Sequence, residues 1–122
     1  MAAHPIVHIE LSANNCLSAS KFYQDVFGWE ITQIPEMSYA TFMSQKELGG
    51  GFNPVTPENP AGTVTVYIGT DDIDASLAQV NAAGGKTVAP MMEIPGVGWF
   101  ALFKDPTGNT MALFKSLTEM PS

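Results

Sequence analysis

The chain has 122 residues, a single cysteine and a formal net charge of −7. That length suggests one domain with room for a core, and one cysteine excludes an internal disulfide. Scarce, unclustered cations argue against nucleic acid or an anionic membrane surface as a partner, and no apolar run approaches the ~18 residues of a membrane span. The N-terminus shows no basic, then long apolar, signal-peptide pattern, so a soluble cytoplasmic protein is expected.

The first predicted element is the strand PIVHIELS, residues 5–12. Val7, Ile9 and Leu11 alternate with Ile6, His8 and Glu10, so an imidazole and a carboxylate share one face. The spacing Ala19, Phe22, Tyr23, Val26, Phe27 predicts a helix whose apolar stripe packs on the sheet, with Asn14 or Asn15 as N-cap and Gly28 as its left-handed stop. Strands are expected at 29–34, 39–43 and near 51–55. The Gly49-Gly50-Gly51 run lacks the lysine of a phosphate loop and reads as a bulge or a close backbone approach.

The order then repeats. A strand is expected at 63–69, and a helix with Asp71 or Asp72 as N-cap and Ile73, Leu77 and Val80 as its stripe, ending at Gly84-Gly85. Strands follow at 86–89, 98–104 and 110–115, separated by two Pro/Gly turns. Gly28 and Gly85 lie 57 positions apart, and the same offset places His8 on Thr65, Leu11 on Ile68 and Asn15 on Asp72. One β-α-β-β-β unit is therefore read as written twice within a single domain spanning 1–122, module one at about 5–56 and module two at about 62–116.

Several residues are candidates on the face away from the helices. His8 reads as an acid, base or hydrogen-bond donor, or as a satisfied wall residue. Glu10 either orients His8 and acts as a base or sits in water at a rim. Thr65 and Tyr67 form the matching pair, Tyr67 offering a hydroxyl. Ala112 and Phe114 suggest an apolar floor, while alternation leaves open which of Trp99, Phe100 and Phe103 face a cavity. Cys16 stands at a helix start, where a thiolate can be favoured, but with no histidine near it in sequence.

The strand His8-Ile9-Glu10-Leu11, the stretch Phe22-Tyr23 to Phe27-Gly28-Trp29, and Lys104-Asp105-Pro106-Thr107-Gly108-Asn109 together resemble the vicinal oxygen chelate superfamily, which includes glyoxalase I, bleomycin-resistance proteins and extradiol dioxygenases. The likeness is nearest to short glyoxalase-like proteins related to lactoylglutathione lyase. It implies an α+β fold of two tandem βαβββ modules forming an open, cup-shaped barrel with outer helices, a homodimer, and a small-molecule ligand. It also implies a divalent metal held by inward His and Glu side chains. Carried over by residue, His8 keeps a ligand position, Thr65 and Ala112 do not, and the fourth position falls in 49–53, where no His, Glu or Asp occurs. No cofactor is therefore expected; zinc, nickel, manganese or iron is the alternative that the resemblance leaves. The resemblance implies either an enzyme of unassigned reaction on a small carbonyl or hydroxylated compound, with His8, Glu10 and Tyr67 catalytic, or a non-catalytic binder of the bleomycin-resistance type. Thr65, Ala112, Phe114, Trp99 and Phe100 would then contact the ligand.

Overall fold

The computed structural model describes residues 3–45 and 48–117. They form an α+β fold with two βαβββ modules, in the order β1 (Ile6–Ala13), α1 (Cys16–Phe27), β2 (Glu30–Ile34), β3 (Tyr39–Gln45), β4 (Leu48–Pro54), β5 (Val64–Gly69), α2 (Ile73–Ala82), β6 (Lys86–Ile94), β7 (Gly98–Lys104) and β8 (Thr110–Ser116). A 3-10 turn, Pro35–Met37, links β2 to β3. The two helices begin 57 positions apart, at Cys16 and Ile73, which is the offset read from the glycines. Two compact units result: Val7–Thr65, and the residues from Val66 onward together with those up to Ile6. The N-terminal residues join the latter unit because Gly69 N–H donates to Pro5 O at 2.8 Å and His4 Nδ1 lies 3.1 Å from Gly69 O.

In the unit Val7–Thr65 the strand order is β2-β3-β4-β1, with β1 parallel to β4 and the rest antiparallel. Asn15 is the N-cap of α1, its side chain accepting from Ser18 N–H at 3.0 Å. Gly28 ends the helix at φ 73°, a conformation that glycine adopts without Cβ strain. The core under α1 contains Ala13, Ala40, Phe42 and Phe52, with Ile9, Leu11 and Tyr23 packed against it. Tyr23, Trp29, Phe42 and Phe52 form a chain of ring contacts 4.5 to 5.6 Å apart, each worth about 0.5–1.5 kcal/mol beyond burial. The predicted stripe of α1 is corrected here. Ala19 and Tyr23 pack inward, but Phe22 is 55% exposed and Val26 and Phe27 are similarly open. The inward face is completed by Cys16 and by Ser20, which is fully buried and accepts from Gln33 Nε2 at 2.8 Å.

In the other unit the order is β5-β8-β7-β6, with β5 parallel to β8. Asp72 caps α2 by accepting from Ala75 N–H at 3.0 Å. Ile73 and Leu77 are buried against Ala101, Phe103 and Leu113, as their spacing predicts. The helix stops at Gly84-Gly85 as read, with Gly84 in the left-handed region at φ +101°. Strand β6 continues to Ile94, beyond the predicted 89, and absorbs Pro90 between register shifts. That is where a strand tolerates a residue without a backbone N–H.

Candidate functional site

The alternation of β1 sorts its side chains as the sequence suggests. Ile9 and Leu11 pack toward α1, and His8 and Glu10 take the opposite face. The face away from α1 is organised in ranks across the sheet. Thr32 opposes Thr41, Thr41 opposes Gly51, and Gly51 opposes Glu10. The glycine run makes this possible. A Cβ at Gly50 would meet Ile9 O and Phe42 Cζ, and one at Gly51 would run into the Tyr39 hydroxyl. The run is a close backbone approach on both sides of β4. With Gly51 bare, the Tyr39 side chain crosses β4 and reaches Glu10.

The result is a three-membered polar cluster. His8 Nε2 lies 2.5 Å from Glu10 Oε2, the Tyr39 hydroxyl donates to that same oxygen, and Tyr39 Oη lies 3.3 Å from His8 Nε2. Glu10 is only 7% exposed, whereas the His8 side chain keeps 30% of its surface. The rim position considered for Glu10 is therefore corrected: the carboxylate is buried and clamped. A carboxylate oxygen accepts, so a hydrogen bond between the pair is donated by His8 Nε2 to Glu10 Oε2. The cluster can hold a proton donor and acceptor side by side in partly excluded solvent. A pocket of about 430 Å³ opens beside it, lined by His8, Glu30, Thr32, Thr41, Met43 and the β4 backbone.

Cys16 borders this cluster from the α1 side. Burial pushes its thiol above the ordinary 9.0, and the charge of Glu10 pushes it further. The thiol donates to Phe52 O at 3.2 Å. A helix-start thiolate is therefore not favoured, because burial and the Glu10 charge both favour the thiol.

The remaining candidates divide. Tyr67, Ala112 and Phe114 lie on the face of their unit away from α2: Tyr67 is the register partner of Ala112, and the Tyr67 and Phe114 rings meet edge-on at 6.5 Å. Phe100, opposite Phe114, joins them. Trp99 does not. It packs against the α2 core, with Lys115 Nζ 5.8 Å from its ring centroid, and so is corrected to a core position beside Phe103. Thr65 is half-buried on β5. Sequence reading missed Tyr39. The available signal was period-two alternation: Ala40 and Phe42 are the apolar partners, which sends Tyr39 and Thr41 to the face of Glu10.

Among the described residues, no three His, Cys, Asp or Glu side chains come together as a metal-binding group. The donors that do meet, His8 and Glu10, bind one another, and the register partner of Glu10 on β4 is the side-chain-free Gly51. This donor set does not fit the three or four protein ligands of a zinc-type centre.

A family model described as the Glyoxalase/Bleomycin resistance protein/Dioxygenase superfamily matches residues 5–113. The chain belongs to this superfamily. Among its superfamily relatives are the anthracycline biosynthesis protein DnrV of Streptomyces peucetius, 29% identical over 87% of this chain and 45% of that protein, and the putative glyoxylase CFP32 of Mycobacterium tuberculosis, 29% identical over 88% and 44%. The chain thus spans just under half the length of these curated relatives. A glyoxylase-like domain-containing protein of Didymella fabae is 32% identical over 86% of this chain and 88% of that protein. Among solved structures, hypothetical protein BH1468 of Bacillus halodurans aligns with a TM-score of 0.74 at 12% identity, covering 99% of this chain and all of that one. Methylmalonyl-CoA epimerase of Streptomyces coelicolor aligns at 0.70 and 17%, covering 98% and 100%. At these identities the structures share the superfamily fold.

Proposed function

We propose that the chain is an enzyme that binds a small carbonyl or hydroxylated compound against the face carrying His8, Glu10 and Tyr39, and moves protons on it without the standard metal site of its superfamily. The observation that carries this reading is the buried Glu10 carboxylate taking both His8 and Tyr39 on one oxygen. In this arrangement Glu10 fixes the imidazole in one orientation and stabilises it when it gains a proton. His8 is the acid or base, a role worth ~10²–10⁴-fold in rate. Tyr39 supplies a hydroxyl that can hand a proton to, or hydrogen-bond with, a ligand oxygen. Thr65 remains a proposed ligand contact, and Tyr67, Ala112, Phe114 and Phe100 are proposed as ligand contacts on the free face of their own unit; Trp99 leaves the set.

The second reading is a non-catalytic binder. It is favoured by the self-sufficiency of the cluster, whose three members satisfy one another without a substrate. Turnover of a panel of small ketones, aldehydes and hydroxy compounds separates the two. Under the enzyme reading, His8→Ala lowers kcat by at least ~10²-fold, and Tyr39→Phe and Glu10→Gln each lower it while the protein stays folded by circular dichroism. Variants that shift affinity alone, with no turnover in the parent, establish the binder instead.

The working unit is proposed to be a homodimer in a reducing, cytoplasmic setting. The support for the dimer is the open apolar surface of Phe22, Val26 and Phe27 on α1.

A further inference from the structure

The free face of the α2 unit changes character along its strands. Ala101, Phe103 and Leu113 pack under α2, so alternation sends Phe100, Leu102 and Lys104 of β7 to the other side, with Thr110, Ala112 and Phe114 of β8. Register joins them in ranks. Met92 opposes Phe100, which opposes Phe114. Leu102 opposes Ala112, which opposes Tyr67. Lys86 opposes Lys104, which opposes Thr110. Successive ranks stand about 7 Å apart, two residues along each strand. The face is apolar over two ranks, where Phe100, Leu102 and Phe114 are half-buried, and cationic at the third, where both lysines are exposed.

The chain carries five lysines and no arginine, yet two of the five are register partners on one face. Like charges directly opposite one another cost stability. The other lysines described have local partners: Lys21 pairs with Asp25 at 2.9 Å, and Lys115 Nζ lies 5.8 Å from the Trp99 ring centroid on the α2 side. A cleft of about 440 Å³ opens at the lysine end of the sheet, lined by Lys86, Lys104 and Asp105. Asp105 is already engaged, its oxygens accepting from the Asn109 side chain and from the N–H groups of Thr107, Gly108 and Asn109. The glycine N–H groups there are engaged too, Gly84 with Asn81 O, Gly85 with Val80 O and Gly108 with Asp105. The cleft offers two point charges rather than a nest of N–H donors, which suits a carboxylate better than a phosphate.

Resting on the proposed ligand role of Tyr67, Ala112, Phe114 and Phe100, we infer that this face binds an amphipathic carboxylate. Its apolar body lies across the ranks of Phe100 and Leu102, and its acid group sits between Lys86 and Lys104, about one rank or ~7 Å away. The bound acid answers the repulsion of the lysine pair, and the apolar ranks give the ligand an area to cover.

Three probes keep or remove each half of such a ligand: 4-phenylbutyrate, 4-phenyl-1-butanol and butyrate. Binding is read by amide chemical-shift mapping of the whole chain at low salt. 4-Phenylbutyrate is expected to bind about threefold or more tighter than either of the others, shifting the amides of Lys86, Leu102, Lys104 and Phe114. Lys86→Gln combined with Lys104→Gln, both at exposed positions, is expected to bring the acid down to the affinity of the alcohol and to leave the alcohol unchanged. High salt is expected to do the same in the parent chain. An alcohol that binds as tightly as the acid, an acid whose affinity ignores the double substitution, or no shift at these amides with any probe up to its solubility, overturns the inference. The readout does not depend on His8. If turnover needs His8 while these amides ignore every probe, this inference alone falls; if the acid binds here and His8→Ala leaves turnover unchanged, the enzymatic reading alone falls.

Discussion

At the residue scale, two side chains tie stability and reactivity to pH. Cys16 has its thiol raised above 9.0 first by burial and then by Glu10. A group whose folded pKa is raised contributes stability in full below its unfolded value and loses it as pH climbs through the folded one. Stability is therefore expected to decline above pH 9.0. Iodoacetamide should alkylate Cys16 more slowly in the folded protein than in urea at the same pH. Glu10→Gln should quicken the folded reaction, because it removes the charge but not the burial; an unchanged rate would remove Glu10 as a cause. Asp105 shows the opposite sign. Its carboxylate accepts from the Asn109 side chain and N–H, then from the N–H groups of Gly108 and Thr107, and these hold it below its ordinary 3.8. Its contribution is present above pH 3.8 and is lost as pH falls through the lowered value. Asp105→Ala should flatten that acid limb in pH-dependent urea melts.

At the scale of elements, β4 is the sensitive strand. Its glycines read as a bulge or a close approach, and the contacts that need them are Ile9 O beneath Gly50 and Tyr39 above Gly51. Gly51→Ala should displace Tyr39 from Glu10, lowering turnover or binding as Tyr39→Phe does and costing stability as well. Chemical denaturation and the Tyr39 ring resonances read both effects. If neither changes, the crossing of Tyr39 over β4 is wrong. Phe52 on the same strand is 1% exposed and joins the ring chain under α1. Phe52→Ala should cost about 3–5 kcal/mol in urea melts. Helix α1 gives the contrast. Phe22 lies on its open side, so Phe22→Ser should leave the monomer's stability within about 0.5 kcal/mol.

At the scale of the whole molecule, the duplicated plan is visible as an offset of 57 between the helix starts, yet the two copies carry different chemistry on their free faces. One presents His8, Glu10, Tyr39 and two threonines; the other presents Tyr67, Ala112, Phe114 and Phe100. The proposed homodimer is a property of this scale. Sedimentation equilibrium should return twice the chain mass, and Phe22→Asp should shift it toward the monomer. A parent that sediments as a monomer at high micromolar concentration would refute the dimer.

The local rules were written in the sequence. Alternation in β1 set His8 and Glu10 apart from Ile9 and Leu11, and Asn15, Asp72 and Gly28 marked helix ends through contacts within a few residues of themselves. Tertiary structure decided what those rules cannot reach. Tyr39 meets Glu10 from 29 positions away, Ser20 rather than Phe22 goes inward because Gln33 waits for it, and Trp99 goes under α2 while Phe100 turns the other way. Periodicity names two faces and does not say which is covered. Only the packed sheet, by removing water from Glu10 and leaving a bare glycine for Tyr39 to cross, turned an ordinary carboxylate into the centre of a candidate site.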